Sequence, residues 1–414
     1  MPSFSPLAWR YLIYVACLML GLAISSLFFN LLLVELGYAE RSVRLPLIGD
    51  LPLLGLLNSL PVLVAALSSL PLWWLVSRFG PHMALISSAL LQGLALAGVA
   101  LAPSQTVLFA AVALGGPASV LFEVSAAPFM MRHSTPRERD ALFAGSAALI
   151  LASSGIGSLL GGFVPGLAVL ALGLAPQSAE AYRVAFLVAA TITSLASLPL
   201  LSLRSTSGAT PRAAATETDP GATNLRALLQ ASWRAMPFLV SPLLISCGAA
   251  LLIPFLSLYF RQRFAAPDTT LGLIFALIGL ATGAATLLAP LLSRRLGKMG
   301  TVVITQALAV PCLILLGLAP SLGLAALVAA LRAALMNMGT PLYDAFTMER
   351  SPEAVRPLVA GLVSAAASAG FILGPNLSVL IQREYGFAPL FGLTAALYAS
   401  AAIANYWLFL RRGF

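Results

Sequence analysis

Charge is scarce in this chain: 23 Lys and Arg with 14 Asp and Glu make up 9% of its 414 residues. Soluble domains carry about 25%, so an ordinary water-facing surface is excluded. Cysteine occurs three times, as Cys17, Cys247 and Cys312, each inside an apolar stretch with no ligand-like spacing. That excludes a disulfide framework and a metal site, and leaves three small buried hydrophobes. The two histidines, His82 and His133, stand apart. There is no phosphate-binding loop, metal-ligand cluster or nucleophile signature, so neither ATP drive, nor a cofactor, nor enzymatic catalysis is expected.

Hydrophobic residues make up 60% of the sequence, against roughly 45 to 50% in soluble domains. They gather into twelve long runs: 10–36, 52–77, 82–102, 105–131, 141–173, 182–203, 236–261, 269–293, 301–319, 321–348, 356–381 and 388–410. A spanning helix needs about 20 predominantly apolar residues. Lipid admits only helices or closed barrels, and these runs are continuous rather than alternating, so they are predicted helices. The first run is too long for a cleaved leader and has no cleavage-like site after it, so it is expected to stay in the mature protein.

With the N-terminus inside, sixteen of the 23 basic residues fall on the inner side and six, including Arg183 and Arg383, on the outer side. By the positive-inside rule both termini are cytoplasmic. Trp9, Trp73, Trp74, Trp233 and Trp407 all fall at the same ends of the predicted helices, as interfacial anchors do. The net charge of +9 is thereby topological and calls for no nucleic-acid partner.

The halves repeat at an offset of about 217 residues. Leu54-Gly55-Leu56 matches Leu271-Gly272-Leu273, Arg78-Phe79-Gly80 matches Arg295-Leu296-Gly297, and Ala144-Gly145 matches Ala360-Gly361. Trp9-Arg10 and Trp233-Arg234 each precede a half. Such duplication marks transporters built from two halves with a site at their interface. The expected organisation is a six-helix bundle over 1–203, a polar linker over 204–235 that need not fold, and a second bundle over 236–414. A short interfacial helix at 225–232 is expected to lead into the seventh span.

On this layout and on the two Arg-x-Gly loops, the chain resembles the major facilitator superfamily over nearly its whole length. That family's loop signature, roughly G-x-x-x-D-R-x-G-R-K, keeps Arg78 and Gly80 in the first copy and Arg295, Gly297 and Lys298 in the second. Ser77 stands in place of the Asp and Pro81-His82 in place of the basic pair. The resemblance implies an all-α fold of two pseudo-symmetric bundles, with helices one, four, seven and ten lining a central cavity. The glycines suit a left-handed turn and the arginines suit a cytoplasmic gate.

Three charged residues fall within predicted spans rather than at their edges: Glu123 in the fourth, and Arg332 and Asp344 in the tenth. A charge at a helix centre costs roughly 2.5 to 3.5 kcal/mol on insertion scales and needs a partner or a wet cavity. Glu123 is expected to titrate or bind a cation, with Arg332, about 10 Å away in register, as its counter-charge or as an anchor for an anionic substrate. A structural ion pair is the alternative. Asp344 is expected at the gate. Asn30, Asn337 and Tyr259, on cavity-lining helices by the resemblance, are the uncharged candidates for substrate contact.

The fifth span carries Gly157, Gly161, Gly162 and Pro165, and the eleventh Gly370, Gly374 and Pro375. Small residues four apart let helices approach closely. The first set resembles, in degenerate form, a motif of the family's antiporters. The fourth span lacks the Arg of the family's proton-transfer motif. The expected function is a secondary transporter moving a small organic solute by alternating access. It is driven by a proton or ion gradient towards efflux and acts as a monomer among lipids of a bacterial inner membrane. Uptake of a sugar or organic anion, lipid translocation and a non-transporting scaffold are the alternatives.

Overall fold

The computed structural model describes residues 5–45, 49–135, 138–201 and 225–411. Twelve helices are long and apolar enough to cross a membrane. The first six are α1 (Pro6–Glu35), α2 (Leu53–Phe79), α3 (Pro81–Leu101), α4 (Gln105–Arg132), α5 (Ala141–Leu172) and α6 (Ala179–Leu201). The second six are α7 (Ala235–Phe264), α8 (Asp268–Leu296), α9 (Lys298–Leu318), α10 (Leu322–Arg350), α11 (Leu358–Tyr385) and α12 (Ala388–Arg411). Each matches an expected run to within a few residues.

Serine side chains start four of them. Ser5, Ser104, Ser178 and Ser321 each accept from the backbone N–H three residues on, satisfying a donor the helix leaves free. Ser104 and Ser321 are 217 positions apart, so the duplication extends to capping chemistry. It extends to the turns as well. Gly80, between α2 and α3, has φ +83°, and Gly297, between α8 and α9, has φ +73°, a region that side chains rarely adopt. No atom lies within 4 Å of a Cβ built on either, so conformation alone demands glycine there.

Four features depart from unbroken helices. An antiparallel hairpin, β1 (Ser42–Leu45) and β2 (Gly49–Pro52), caps the α1–α2 connection, where no apolar run announced it. The seventh span breaks into a 3₁₀ turn at Ile253–Phe255, where Pro254 has no N–H to give. The tenth breaks at Gly339, ahead of Pro341. The twelfth ends in a π turn, Tyr406–Arg411. Of the expected linker, 204–224 lies outside the described residues. The separate helix expected at 225–232 is absent as such, because one helix runs Leu225–Leu252 straight into the seventh span.

The apolar cores show how the halves sit. At the hairpin end a single cluster joins both halves, from Ile24, Leu27 and Phe28 of α1 to Leu252, Phe255 and Leu271. At the end holding the described termini there are separate clusters. One surrounds Tyr11, Leu85 and Phe129 of the first half, and the other Phe238, Met299 and Phe409 of the second. The bundles are thus fused at one end and parted at the other.

Candidate functional site

Where the halves part, a cavity of about 590 Å³ opens beneath the fused end. Its lining includes Ser25, Ser26, Phe29 and Asn30 of α1, Asn58 of α2, Ser154 and Ser158 of α5, Phe186 of α6 and Pro254 of α7. A smaller chamber of about 210 Å³ shares Met19, Leu22, Gln92 and Ser119 with it and adds Phe122 and Glu123 of α4. Almost all of the lining comes from the first half.

The roof is built from amides. Asn30 Nδ2 donates to the Pro254 carbonyl at 2.6 Å and to Asn58 Oδ1 at 3.3 Å, while Asn58 Nδ2 returns a bond to Asn30 Oδ1 at 2.7 Å. The broken α7 helix exposes a carbonyl, and an amide from the other half meets it. Around this roof are further ties between the halves. Asn376 donates to the Ser59 hydroxyl at 3.0 Å, and Gly55 packs so closely that its Cβ would lie 2.6 Å from Asn376 Cα. Tyr182 donates to Asp268, which also pairs with Arg261. Arg383 spends its guanidinium on the hairpin connection, donating to the Ala39 and Arg41 carbonyls at 2.8 Å and to Ser42 at 2.7 Å.

The glycines of the fifth span divide by partner. Gly157 and Gly161 fit α1 at Leu20 and Ile24, whereas Gly162 faces Gly272 of α8, where an added Cβ would come within 2.9 Å of backbone. Pro165 lies inside the same helix. Gly370 and Gly374 accommodate Ser246 and Ala250 of α7, and the Pro375 carbonyl faces Gly55. The small-residue motifs therefore pack helices, within and between halves.

Of the residues expected in the cavity, Glu123 and Asn30 are there. Glu123 has no hydrogen-bond or ion-pair partner among the described residues. Arg332 is a correction. It is buried inside the second bundle, against the Tyr398 hydroxyl and near Cys312, and its Nε has no partner. Five residues turn a helix by about 140°, which puts Arg332 away from the exposed face that carries Asn337 and Asp344. Among the described residues no ion pair joins Arg332 to Glu123, and it lines neither cavity. Tyr259 is a second correction, since it is buried, donates to the Leu316 carbonyl at 2.8 Å and packs among Phe260, Phe264, Phe387 and Phe391. Asn337 is exposed but spends its amide on the Ala333 carbonyl at 2.8 Å and does not line either cavity.

At the parted end, Arg78 lies 4.2 Å above the Trp74 ring and Arg295 is exposed, so neither arginine bridges the halves. Lys298 pairs with Glu349 within the second bundle. Asp344 is exposed and has no charged partner among the described residues. Outside the spans, Glu138 accepts from Thr135 N–H and Ser5 N–H, both at 2.9 Å. These bonds hold its carboxyl below the usual carboxylate range and fasten the start of α1 to the α4–α5 connection. Burial pushes the His133 imidazole below its ordinary value.

Sequence reasoning did not single out Gln92, Ser119, Ser154, Ser158 or Pro254 as cavity residues. Serines inside apolar helices carry no sign of the face they take, and Pro254, a residue type that interrupts helices, was passed over in the middle of its span.

Two bundles closed over a shared cavity at one end and parted at the other define a polytopic membrane protein with a central cleft. The model of the family described as Major Facilitator Superfamily matches residues 238–413. That match covers the second half only, while the likeness of fold to solved members of other sequence extends over the whole chain. It is similar in fold to a D-xylose–proton symporter, 13% identical over 97% of each chain, with a TM-score of 0.74. It is similar to the nucleoside transporter NupG, 12% identical over 97% of this chain and 100% of that one, with a TM-score of 0.73. It also resembles a bacterial homologue of the human lysosomal transporter Spinster in an inward-facing, unoccupied conformation, 15% identical over 99% and 96%, with a TM-score of 0.67. No curated protein matches the chain in sequence.

Proposed function

We propose that this chain is a secondary transporter that carries a small organic solute by alternating access, and that the fused-at-one-end arrangement is its inward-open state. The observation that carries this reading is the placement of the cavity. It lies directly under the Asn30–Pro254 tie, at the point where one shared core gives way to two. Breaking the roof while the parted ends come together would turn the same cavity to the other side, with two rigid bundles rocking about it. The parted end carries most of the Arg residues, which supports a cytoplasmic assignment for it and for both termini in a bacterial inner membrane. A cysteine introduced as Ala215→Cys should resist an impermeant reagent in intact cells, and ready labelling there would reverse the orientation.

Glu123 is the coupling group in this reading and export in exchange for protons is the direction. An acid with no partner, facing a cavity that alternates between two sides, can take a proton on one and lose it on the other. In proteoliposomes Glu123→Gln should abolish uphill, proton-driven flux and keep downhill exchange. Uphill flux that survives in the variant with its pH dependence unchanged would remove Glu123 from the coupling role.

A further inference from the structure

We infer that the cavity takes an amphipathic organic cation that donates hydrogen bonds, with its ammonium end at Glu123; this rests on the transport reading and names its substrate class. Three observations carry it. The first is the charge inventory, in which Glu123 is the single charged side chain lining either chamber, and no Arg or Lys does so. The displacement of Arg332 into the second bundle removes the group that would have held an anion.

The second is the orientation of the hydroxyls. Ser25, Ser26, Ser119, Ser154 and Ser158 each donate their proton to a carbonyl of their own helix, at 2.7 to 3.1 Å. A hydroxyl has one donor and two lone pairs. With the donor spent, what each serine has left to offer a solute is acceptor capacity. Five such oxygens and one carboxylate favour a solute rich in N–H groups and positive charge, and disfavour one that brings only acceptors.

The third is the shape of the smaller chamber. Phe122 lines it beside Glu123, with Leu18, Met19 and Leu22 making the rest mostly apolar. An aromatic ring and a carboxylate in an apolar setting suit an ammonium group, which gains from both. An inorganic cation needs several oxygen ligands at once, and no cluster of three His, Cys, Asp or Glu exists among the described residues. The larger chamber then houses the body of the solute against the packed Phe29 and Phe186 rings, with the Asn30 and Asn58 amides also in its lining. Gln92, whose amide has no hydrogen-bond partner among the described residues, stands where the chambers join and is free to bond the solute midway.

The test uses one body with three heads: 4-phenylbutylammonium, 4-phenylbutanol and 4-phenylbutyrate, titrated calorimetrically into the purified full-length protein in detergent. The ammonium should bind tightest and the carboxylate weakest, by a factor of about ten or more. Lowering the pH should weaken ammonium binding, because a proton competes for the same carboxylate. Glu123→Gln should erase the order among the three heads while Glu123→Asp keeps it, with thermal unfolding confirming that both variants are folded. Stronger binding of the carboxylate, an ammonium preference that survives Glu123→Gln, or no binding of the ammonium would each overturn the inference. Flux assays separate this from the transport reading. Selective binding without flux would sink transport and keep the site, and flux of neutral solutes without cation preference would do the reverse.

Discussion

The Asn30 side chain on α1 and the Pro254 carbonyl at the break of α7 meet at 2.6 Å, joining the two halves directly above the cavity. The helix passes through a 3₁₀ turn at Ile253–Phe255, and the Pro254 carbonyl within that turn is met from the other half. Removing the amide deletes this bond between the halves, a net contribution of about 0.5 to 1.5 kcal/mol for a half-buried pair. Asn30→Ala should therefore shift the protein towards the state open at the hairpin end. Read as labelling of a Ser26→Cys reporter from that side, the rate should rise about five-fold or more, the equivalent of about 1 kcal/mol. An unchanged labelling rate would show that the other ties hold the closure without it.

Gly80 and Gly297 have open space around them, so the cost of replacing them comes from the backbone alone. With ψ at 159° and 162° they lie in a region that essentially only glycine adopts, where another residue costs of order 1 to 3 kcal/mol, and more for a β-branched side chain. Thermal unfolding temperatures of wild type, Gly80→Ala and Gly80→Val should fall in that order, and the Gly297 series should repeat it. A flat series would mean that the turns re-form without glycine.

Arg332 has no acidic partner among the described residues, and its Nε is buried without a bond. Replacing a buried, poorly compensated charge by an apolar residue of similar size is often neutral or stabilising. Arg332→Met should thus leave solute binding intact and thermal stability equal or higher. Loss of binding in a folded Arg332→Met protein would return this residue to the site.

Glu138 ties the start of α1 to the α4–α5 connection only while ionised. Its folded-state pKa is depressed, so its contribution is present above the unfolded carboxylate value and is lost as pH falls through the lower folded value. Melting curves from neutral to acid pH should show the wild type more stable than Glu138→Gln at neutral pH. The two should converge at low pH, and a constant gap would exclude the carboxylate as the cause.

Much of the architecture was legible without coordinates, because the length of an apolar run is itself the physical quantity a bilayer demands. Twelve runs gave twelve helices, the one-sided Trp residues sit at one end, and a repeat of 217 positions foretold matching turns at Gly80 and Gly297 and, unread, matching caps at Ser104 and Ser321. The β-hairpin escaped because four-residue strands leave no periodicity to detect.

Which way each helix faces was a different matter. A helix apolar on every side has no stripe to orient it, and a turn of about 100° per residue separates a cavity residue from a core residue. Arg332 and Tyr259 had the right chemistry on plausible helices, and packing turned both into the second bundle. Asn30 and Glu123 had no better claim in the sequence, yet contacts among helices distant along the chain brought them to the cavity. Composition determined that this protein lives in a membrane as two six-helix halves; only the packed structure decided which of its few polar groups meet.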